Sequence, residues 1–552
     1  MYSTIKKWVR ENRETAILIG AIIVAFFVYS SFYSSFSSLK FNSPDETANY
    51  FFAKMYAQDG VLRVFEPLNF IAENRIQPRS MAVVNGYLVP GSFLGLILVY
   101  GWLAKIFGLK LLLCLTPVFA GFAVFCFYEI IKKIFSSQIA FWSALLLLIH
   151  PSFWYYSARG LFPNVLFVSF LIFSFYFMVR AGSSLPLASK IPEKSKSKNY
   201  MDFILAGLFF GLAMTVRLSE IIWVGAVIFA LFFVYRKKLQ WDQVGIFIIF
   251  AIITFSPIFA YNQIFYGNSL MTAYNLNDGG AAGGSGQGVG WFVSFARYVF
   301  PFGLHFKNIL KNFSNYFVGM FWWLAIPLAV SFSIFIRDFI GGKLEKKIKL
   351  YFIFYGAVSL FLFVYYGSWL IYDNPAKEVS VGTSYVRYWL PIYILSLPLV
   401  SWGLIKFVGF WRGWQKKIVA VMLGLSFFSL SAGLVFFDKN DGLVMAGANM
   451  REYSRIAEAV NRTIEPDAII VVDRADKIFF PEHQVIQPLR DDQIYKLIPK
   501  LSGKMPLYYY GVTLPEKDIE YLYARKFNPK EIEIRKIGDF GVESLYKFVP
   551  LK

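Results

Sequence analysis

Charged residues are scarce in this sequence: only 16% of its 552 residues are Asp, Glu, Lys or Arg, while 57% are hydrophobic. Soluble domains are typically about 25% charged and roughly 45–50% apolar, so the composition excludes an ordinary soluble protein. Apolar stretches of about 18 residues or more recur along most of the chain, and each can cross the roughly 30 Å of hydrocarbon in a bilayer. The composition is typical of a membrane protein with many spans.

Cysteines and nucleotide-binding loops are also lacking. The two cysteines, Cys114 and Cys126, lie in one apolar stretch and offer neither a disulfide framework nor metal-ligand spacing, so we expect packing roles for both. The Gly-rich run at 279–290 follows no soluble strand and has no Gly-Lys-Ser/Thr ending, so it is interpreted as a mobile external loop. No Rossmann-like donor site is expected.

The net charge of +20 could indicate a nucleic-acid partner, but the Lys and Arg residues cluster in short loops between the apolar runs. Orientation in a bilayer explains that clustering better, so no nucleic-acid partner is expected. The first run, residues 15–36, is too long for a signal-peptide core and lacks a small-residue cleavage site. It is interpreted as an uncleaved first span that follows a cytoplasmic N-terminus.

Alternation of basic and neutral loops predicts about eleven crossings. It holds only if segment 81–107, which is rich in Gly and Pro, forms helices lying along the outer surface instead of a span. The predicted spans run at about 15–36, 109–131, 138–155, 161–180, 201–217, 219–235, 243–265, 314–336, 350–371, 387–408 and 418–437. The basic loops then fall in the cytoplasm, including Lys132-Lys133, 180–198, 236–238, 343–349 and 412–417. The loops at 39–108, 267–296 and 372–386 and the C-terminus fall outside, with the plasma membrane as the expected location.

After about residue 437 the composition becomes that of a small soluble domain. Helices are predicted near 450–463 and 515–525, and strands at 468–472, at 506–512 and in the final stretches "EIEIRKI" and "ESLYKFV". The predicted fold class is therefore a polytopic α-helical membrane protein with a small C-terminal α/β domain. The membrane domain is placed at 1–437, with juxtamembrane helices in its external loop at 39–108, and the extracytoplasmic domain at 438–552.

Polar groups at membrane depth are costly, and four groups of them lie at the outer ends of the predicted spans. The stretch "FNSPDETANY" (41–50) carries the acidic pair Asp45 and Glu46. The other polar residues at these ends are Lys54, Arg79, Arg159, Asn164, Arg217, Glu220, Tyr385 and Arg387. An acidic pair and several arginines that face one external cavity predict acid–base chemistry beside an anion such as a phosphate.

The order of these motifs resembles the GT-C superfamily of polyprenyl-phosphate-sugar-dependent glycosyltransferases, which includes protein O-mannosyltransferases and aminoarabinose transferases. "PDET" resembles the family's acidic loop motif after the first span, and "YYSARGLFPN" resembles its Ser-Arg…Asp segment, with Asn164 where Asp is common. "YNQIFYGNSL" (261–270) and "RYWLP" resemble two further motifs, the first with Ser269 in place of Pro. The likeness covers about residues 15–437.

The resemblance implies an inverting transfer of a sugar from a polyprenyl-phosphate donor to a hydroxyl of a lipid, glycan or protein acceptor on the extracytoplasmic face. Asp45 is the candidate base with Glu46 second, and the candidate partners of the donor phosphate are Arg159, Arg217 and Arg387. The accessory candidates are Lys54, Arg79, Glu220 and Tyr385. No cofactor is indicated, although Asp45 and Glu46 could also be ligands of a divalent metal.

Each assignment has a structural alternative. Asp45 or Glu46 could cap a helix that begins near Thr47, and the arginines could reach lipid headgroups from span ends. Lys54 and Arg79 could be surface charges on the juxtamembrane helices. For the whole chain, the alternatives are a transporter or flippase of lipid-linked sugars and an oligosaccharyltransferase-like enzyme. The halves show no internal repeat, and the large first loop with a terminal soluble domain favours an enzyme.

Overall fold

Helices dominate the chain because a segment inside a bilayer must satisfy its backbone hydrogen bonds within itself. The structure, a computed structural model, describes residues 11–181, 200–235, 240–272, 303–371, 378–489, 491–527 and 531–551. In the membrane part and the first loop, the helices are α1 (Arg13–Ser34), α2 (Pro44–Asp59), α3 (Gly95–Phe107), α4 (Leu115–Ile134), α5 (Ser137–Ile149), α6 (Pro151–Ala158), α7 (Pro163–Arg180), α8 (Tyr200–Val216), α9 (Ile221–Tyr235), α10 (Trp241–Phe255), α11 (Pro257–Tyr266), α12 (Phe306–Phe313), α13 (Trp322–Ile340), α14 (Lys346–Gly367), α15 (Ser384–Tyr388), α16 (Leu390–Val408) and α17 (Gly413–Phe437).

Further helices and all the strands lie in the first loop and the C-terminal part. The helices are α18 (Leu443–Asn461), α19 (Asp476–Phe479), α20 (Asp492–Ser502) and α21 (Glu516–Arg525). The strands are β1 (Val64–Phe65), β2 (Met81–Val84), β3 (Tyr87–Pro90), β4 (Ile469–Val472), β5 (Gln484–Ile486), β6 (Leu507–Val512), β7 (Ile532–Phe540) and β8 (Glu543–Pro550).

The described residues contain eight helices that are long and apolar enough to cross a membrane, or ten if two bent helix pairs count as single spans. One pair is α5 with α6, bent by 51°, and the other is α8 with the helix that follows it, bent by 112°. The prediction of about eleven counts 201–217 and 219–235 as separate spans, whereas the count of ten joins α8 and the helix after it as one bent pair.

By its contacts the chain divides into two units. The first unit comprises the described parts of Met1–Ser34, Leu113–Ser256 and Ser285–Met445, and the second those of Ser35–Leu112, Pro257–Gly284 and Ala446–Lys552. The first external loop thus groups with the C-terminal part. Contacts alone do not show which part folds by itself, so the domain boundary at residue 437 stays a prediction.

Small residues let helices of the first unit approach closely. α8 packs along α10, and a Cβ atom at Gly207 would lie 2.4 Å from the carbonyl oxygen of Phe247. At Gly211 it would lie 2.5 Å from the carbonyl oxygen of Ala251. Since real Cβ atoms do not come that close, only glycine permits this packing, as in other membrane helix pairs with small residues four apart.

Part of the first loop folds as a β-hairpin where helices were predicted. β2 and β1 both pair antiparallel with β3, which lies between them. Asn85 and Gly86 connect β2 to β3 with φ of 51° and 80°, the left-handed pair that a two-residue Asn-Gly hairpin turn requires. Only α3 is helical within 81–107, so the prediction of helices is wrong for residues 81–90. The Asn-Gly dipeptide between two apolar stretches is the signal that the prediction missed.

The C-terminal part contains a five-stranded sheet in the order β5-β4-β6-β8-β7. β4 is parallel to both β5 and β6, whereas β8 is antiparallel to β6 and β7. All four residues of β4 are buried, as expected of a central parallel strand covered on both faces. This confirms the small C-terminal domain with strands. The first loop joins its core through Ala72 and Ile76, and Ile76 forms an isolated bridge with Ile486.

Candidate active site

In the second unit, the acidic pair forms the first turn of α2. Ser43 is the N-cap residue and Pro44 the first helical residue. The side chain of Glu46 accepts a hydrogen bond from the backbone N–H of Ser43 at 3.1 Å, which closes a capping box. Glu46 is only 1% exposed. The helix therefore begins three residues before Thr47, and the carboxylate of Glu46 is engaged in starting it.

Asp45 is half-buried and contacts a different element. Its Oδ1 atom accepts a hydrogen bond from the Ser80 hydroxyl at 2.6 Å. Ser80 has φ of 62°, and its carbonyl oxygen accepts from the backbone N–H of Gly91 at 3.1 Å. A Cβ atom at residue 91 would lie 2.5 Å from that carbonyl. Glycine at 91 thus lets the hairpin close against Ser80 and fixes the hydroxyl that orients Asp45.

The neighbouring residue Arg79 anchors this turn to the C-terminal part. Its backbone N–H and its Nε atom donate to the two carboxylate oxygens of Asp476, at 2.9 and 2.8 Å. Asp476 is fully buried, so the pair is a charge-assisted anchor rather than a surface contact. Arg79 lies in a turn before β2. The alternative that it is a surface charge on a juxtamembrane helix is therefore wrong. Lys54 is exposed on α2.

In the first unit, Arg217 lies at the break between α8 and the 3-10 turn Leu218–Glu220. Its Nε atom donates to Oε1 of Glu220 at 2.9 Å, and its Nη2 atom lies 3.2 Å from the Tyr366 hydroxyl. The Tyr366 hydroxyl and the Trp223 indole also donate to Glu220. Arg217 and Glu220 are 7% and 2% exposed. The helix break is thus built around a buried and hydrogen-bonded ion pair.

The structure brings the three predicted phosphate partners together around two aromatic rings. The guanidinium groups of Arg159 and Arg387 lie 5.2 and 4.6 Å from the centre of the Phe162 ring. Those of Arg217 and Arg387 lie 4.9 and 5.3 Å from the Tyr388 ring. Cations over aromatic faces are attracted by the ring quadrupole, which offsets part of their mutual repulsion. We call Arg159, Arg217 and Arg387 with these two rings the arginine cluster.

Hydrogen bonds fix the other sides of the cluster. Arg159 is buried and its Nη1 atom donates to the Tyr155 hydroxyl at 2.6 Å. Arg387 donates from Nη2 to the Ser384 hydroxyl at 2.9 Å. The side-chain amide of Asn164 donates to the carbonyl oxygen of Arg387 at 3.2 Å. Asn164 is the residue that departs from the family pattern. It contacts the cluster through the backbone carbonyl of Arg387 and not through a guanidinium group.

Tyr385, an accessory candidate, has a different set of contacts. It is buried, and its hydroxyl donates to the carbonyl oxygen of Trp369 and accepts from the backbone N–H of Ile371. These bonds hold the end of α14, and they account for the burial of the tyrosine. Glu220, the other accessory candidate in this unit, is engaged by Arg217.

Several contributing residues were missed by the sequence reasoning. Ser80 and Asp476 orient and anchor the acidic side, and Phe162, Tyr366 and Tyr388 support the arginine cluster. Tyr388 adjoins Arg387 in "RYWLP", so that motif carried a signal. Asp476 lies 397 residues from Arg79, and no local pattern connects the two.

Among the described residues, no group of three or more His, Cys, Asp or Glu side chains lies close enough to hold a metal ion. The Gly-rich run at 279–290 lies outside the described residues. The predicted meeting of the acidic pair with the arginines joins residues of the two units and stays a prediction.

Comparisons with known proteins give one similarity in sequence and several in fold. A family model for dolichyl-phosphate-mannose-protein mannosyltransferase matches residues 98–261. No curated protein matches the chain. ArnT from Cupriavidus metallidurans in the apo state has a TM-score of 0.56 at 10% identity, over 99% of this chain and 98% of that chain. The same enzyme bound to undecaprenyl phosphate has a TM-score of 0.56 at 11% identity, over 96% and 97%.

A third solved structure is the archaeal oligosaccharyltransferase AglB from Archaeoglobus fulgidus, in complex with an inhibitory peptide and a dolichol-phosphate. It has a TM-score of 0.55 at 9% identity and covers 99% of this chain and 75% of that chain. At such identities the structural likeness establishes the fold. The family match covers the helices from α3 to α11. Together they show that this chain has the fold of ArnT and AglB and that its residues 98–261 are similar to the mannosyltransferase family.

Proposed function

We propose that this protein transfers a sugar from a polyprenyl-phosphate donor to a hydroxyl acceptor on the extracytoplasmic face, with inversion at the anomeric carbon. Asp45 is the base, and the arginine cluster binds the donor phosphate. The transporter alternative offers no explanation for the match to a mannosyltransferase family.

The arginine cluster is the observation that carries the proposal. Three guanidinium groups from three separate segments of the chain converge on two rings, Phe162 and Tyr388. Guanidinium forks match phosphate oxygens in geometry and charge, and charge-assisted bonds of this type are the strong ones. A lipid phosphate that leaves with a full charge needs such donors most in the transition state.

The local structure favours Asp45 over Glu46 as the base. Glu46 is almost fully buried and its carboxylate closes the capping box. Asp45 is half-buried and is oriented by the Ser80 hydroxyl. A general base must reach the proton that it removes, and only the more accessible carboxylate of the pair meets that requirement without undoing a helix start.

The proposed step is a single displacement. The acceptor oxygen attacks the anomeric carbon of the sugar while its proton passes to the carboxylate of Asp45. The bond between the anomeric carbon and the phosphate oxygen breaks, and its electron pair leaves with the polyprenyl phosphate, which the arginine cluster stabilises. Attack opposite to the leaving group inverts the anomeric configuration.

The carrier lipids of the solved relatives support a polyprenyl-phosphate donor. ArnT has been solved with undecaprenyl phosphate and AglB with a dolichol-phosphate. Both ligands present one lipid phosphate to a protein of this fold. The charge pattern of the loops predicts that the outer ends of the spans, where the arginine cluster lies, face away from the cytoplasm.

The test is binding and turnover with purified protein in nanodiscs. We expect the protein to transfer the sugar of a polyprenyl-phosphate sugar to an acceptor hydroxyl. We also expect it to bind undecaprenyl phosphate, and Arg387→Ala should weaken this binding about tenfold or more. The reason is that a hydrogen bond to a charged group is worth about 1.5–3 kcal/mol. Arg337→Ala is the matched control, because Arg337 is exposed and pairs with Asp338 at the end of α13. Equal weakening by both variants, or binding without any transfer, would refute the proposal.

A further inference from the structure

A second site of interest lies within the first unit, where a cavity of about 900 Å³ is lined mainly by α1, α5, α16 and α17. Its lining includes none of the three arginines of the cluster. The cavity is therefore not part of the candidate active site, and neither the proposed function nor the family match explains it.

The cavity runs along most of α17. Lining residues recur along the whole length of that helix: Gly413, Lys416, Lys417, Ala420, Leu423, Gly424, Phe427, Phe428, Ala432 and Phe436. Phe436 follows Lys416 by 20 positions, which corresponds to about 30 Å along a helix axis. That length matches the hydrocarbon thickness of a bilayer. The cavity thus extends from one membrane surface toward the other.

One end of the cavity is cationic. Lys416 and Lys417 at the start of α17 lie there with Gln138 at the start of α5 and Val408 at the end of α16. Within the described part of the chain neither lysine makes a salt bridge or hydrogen bond. The loop that carries them is predicted to be cytoplasmic. Basic pockets between spans on that side bind anionic lipid headgroups.

In the half of the cavity next to the lysines, α17 contributes two small residues, Ala420 and Gly424, beside Leu423. Ala420 and Gly424 follow Lys416 by four and eight positions, or about 6 and 12 Å. A Cβ atom added at Gly424 would meet nothing within 4 Å. Beyond them, Trp154 contacts the rings of Tyr29 and Phe428. Phe428 lies about 18 Å from Lys416 along the axis, just past the depth of one leaflet.

We propose that this cavity binds one anionic phospholipid of the cytoplasmic leaflet. Its phosphate contacts Lys416 and Lys417, and an acyl chain follows Ala420 and Gly424 as far as the aromatic contacts of Trp154. The two lysines at one end of the cavity match an anionic headgroup. The path from Lys416 to Phe428 is about as long as an acyl chain in one leaflet. A donor lipid positioned for transfer on the extracytoplasmic face would have its phosphate at the opposite end.

The test measures lipid retention by the full chain, using native mass spectrometry and exchange from nanodiscs of phosphatidylglycerol or phosphatidylcholine. We expect the wild-type protein to prefer phosphatidylglycerol by about tenfold or more, since each lysine near the surface favours anionic lipid. The double variant Lys416→Gln, Lys417→Gln should lose that preference. Gly424→Phe, which fills the chain path, should reduce retention of both lipids about tenfold or more.

Two matched controls keep the test specific. Lys346 and Lys347 are another adjacent pair at the start of a helix, and Gly433 is on α17, has open space around its Cβ position and does not line the cavity. Lys346→Gln with Lys347→Gln, and Gly433→Phe, should retain lipid like the wild type. Equal retention of the two lipids by the wild type, equal losses in the controls, or retention of undecaprenyl phosphate in place of phosphatidylglycerol would each overturn the proposal. If Gly424→Phe does not fold, Ala420→Leu narrows the same path.

Discussion

The arginine cluster and the turn that holds Asp45 are built by opposite means. The cluster depends on packed side chains: the guanidinium groups of buried Arg159 and Arg217 and of half-buried Arg387 lie over Phe162 and Tyr388, and Arg217 pairs with Glu220. The Asp45 turn depends on backbone geometry: an N-cap, a residue with φ of 62° and a close approach at Gly91. Changes in the cluster should therefore alter stability and ligand binding together, whereas conservative changes at the turn should separate them.

The largest expected effect is on the stability of the cluster. Arg217→Ala leaves the buried carboxylate of Glu220 without its cation, which should cost about 3–5 kcal/mol of unfolding free energy. Arg217→Met combined with Glu220→Gln should regain most of that loss, because the amide oxygen can accept from the Trp223 indole while the amide NH2 donates to the Tyr366 hydroxyl. Thermal unfolding in detergent measures both. A single variant as stable as the wild type would contradict the described ion pair, and Arg337→Ala at an exposed pair serves as the control.

The next effect concerns catalysis by the acidic pair. Asp45→Asn keeps the shape of the side chain but not its basicity, so kcat should fall about 10²-fold or more with an unchanged unfolding temperature. Glu46→Gln should change kcat only a few-fold, because glutamine also closes a capping box. Sugar transfer from a polyprenyl-phosphate donor is the readout. The assignment of the base fails if Glu46→Gln is the more damaging change.

A smaller effect is expected at the residue that orients Asp45. Ser80→Gly removes the hydroxyl yet suits a φ of 62°, so the turn should keep its form. Since one hydrogen bond to a charged group is lost, kcat should fall about tenfold while KM and the unfolding temperature stay near the wild-type values. The control is Ser92→Ala, which removes a hydroxyl that donates to Asn49. Asn49 lies on α2, the helix that also carries Asp45. A fall in stability without a fall in kcat would assign Ser80 a purely structural role.

The smallest effect lies far from both regions, at a surface pair of the C-terminal sheet. Burial would raise the pKa of Glu465, but hydrogen bonds from Lys547 and Tyr508 outweigh it and lower that pKa to about 2. Because the pKa of this carboxylate is lower in the folded than in the unfolded protein, its charged form stabilises the fold above about pH 4.5. That contribution is lost as the pH falls toward 2. The side chains of Glu465 and Lys547 are 42% and 31% exposed. Solvent screening therefore limits the contribution of this ion pair to the unfolding free energy to below about 1 kcal/mol.

Glu465→Gln should therefore lower the unfolding temperature slightly at pH 7, and this difference should shrink as the pH falls from about 4.5 and vanish below about 2. Thermal unfolding of both proteins across that range is the measurement. Glu452→Gln at an exposed helix pair should have no effect at either pH. A difference that grows on acidification would show that the pKa of Glu465 is not lowered in the folded protein.

Long-range apolar pattern made most of the fold predictable. Every predicted span coincides with helix, and the strands at 468–472 and 506–512 match β4 and β6 within a residue. The failures are local. The hairpin at 81–90 was hidden because its strands have four residues each and lie beside a helix of similar apolar composition. β5 has three residues and leaves almost no periodicity to detect.

The site was predictable only as far as residue type and chain order extend. Arg159, Arg217 and Arg387 stand at span ends, which was enough to select them and to group them. Their arrangement over Phe162 and Tyr388 depends on where helices cross, and an aromatic residue in such a sequence is too common to be informative. The contacts of Asp45 and Glu46 differ because Glu46 closes a capping box, which residue spacing allows but does not reveal.

The anchor between Arg79 and Asp476 also sets an order in time. The two residues are 397 positions apart, and at typical synthesis rates the ribosome needs roughly 20 to 80 seconds to pass from one to the other. On the predicted topology the first loop is already outside during that interval, while Asp476, which anchors the turn beside Asp45, has not yet been synthesised. The protein can therefore complete this turn only after the segment that carries Asp476 has been made, so a chain truncated before that segment should be inserted in the membrane but inactive.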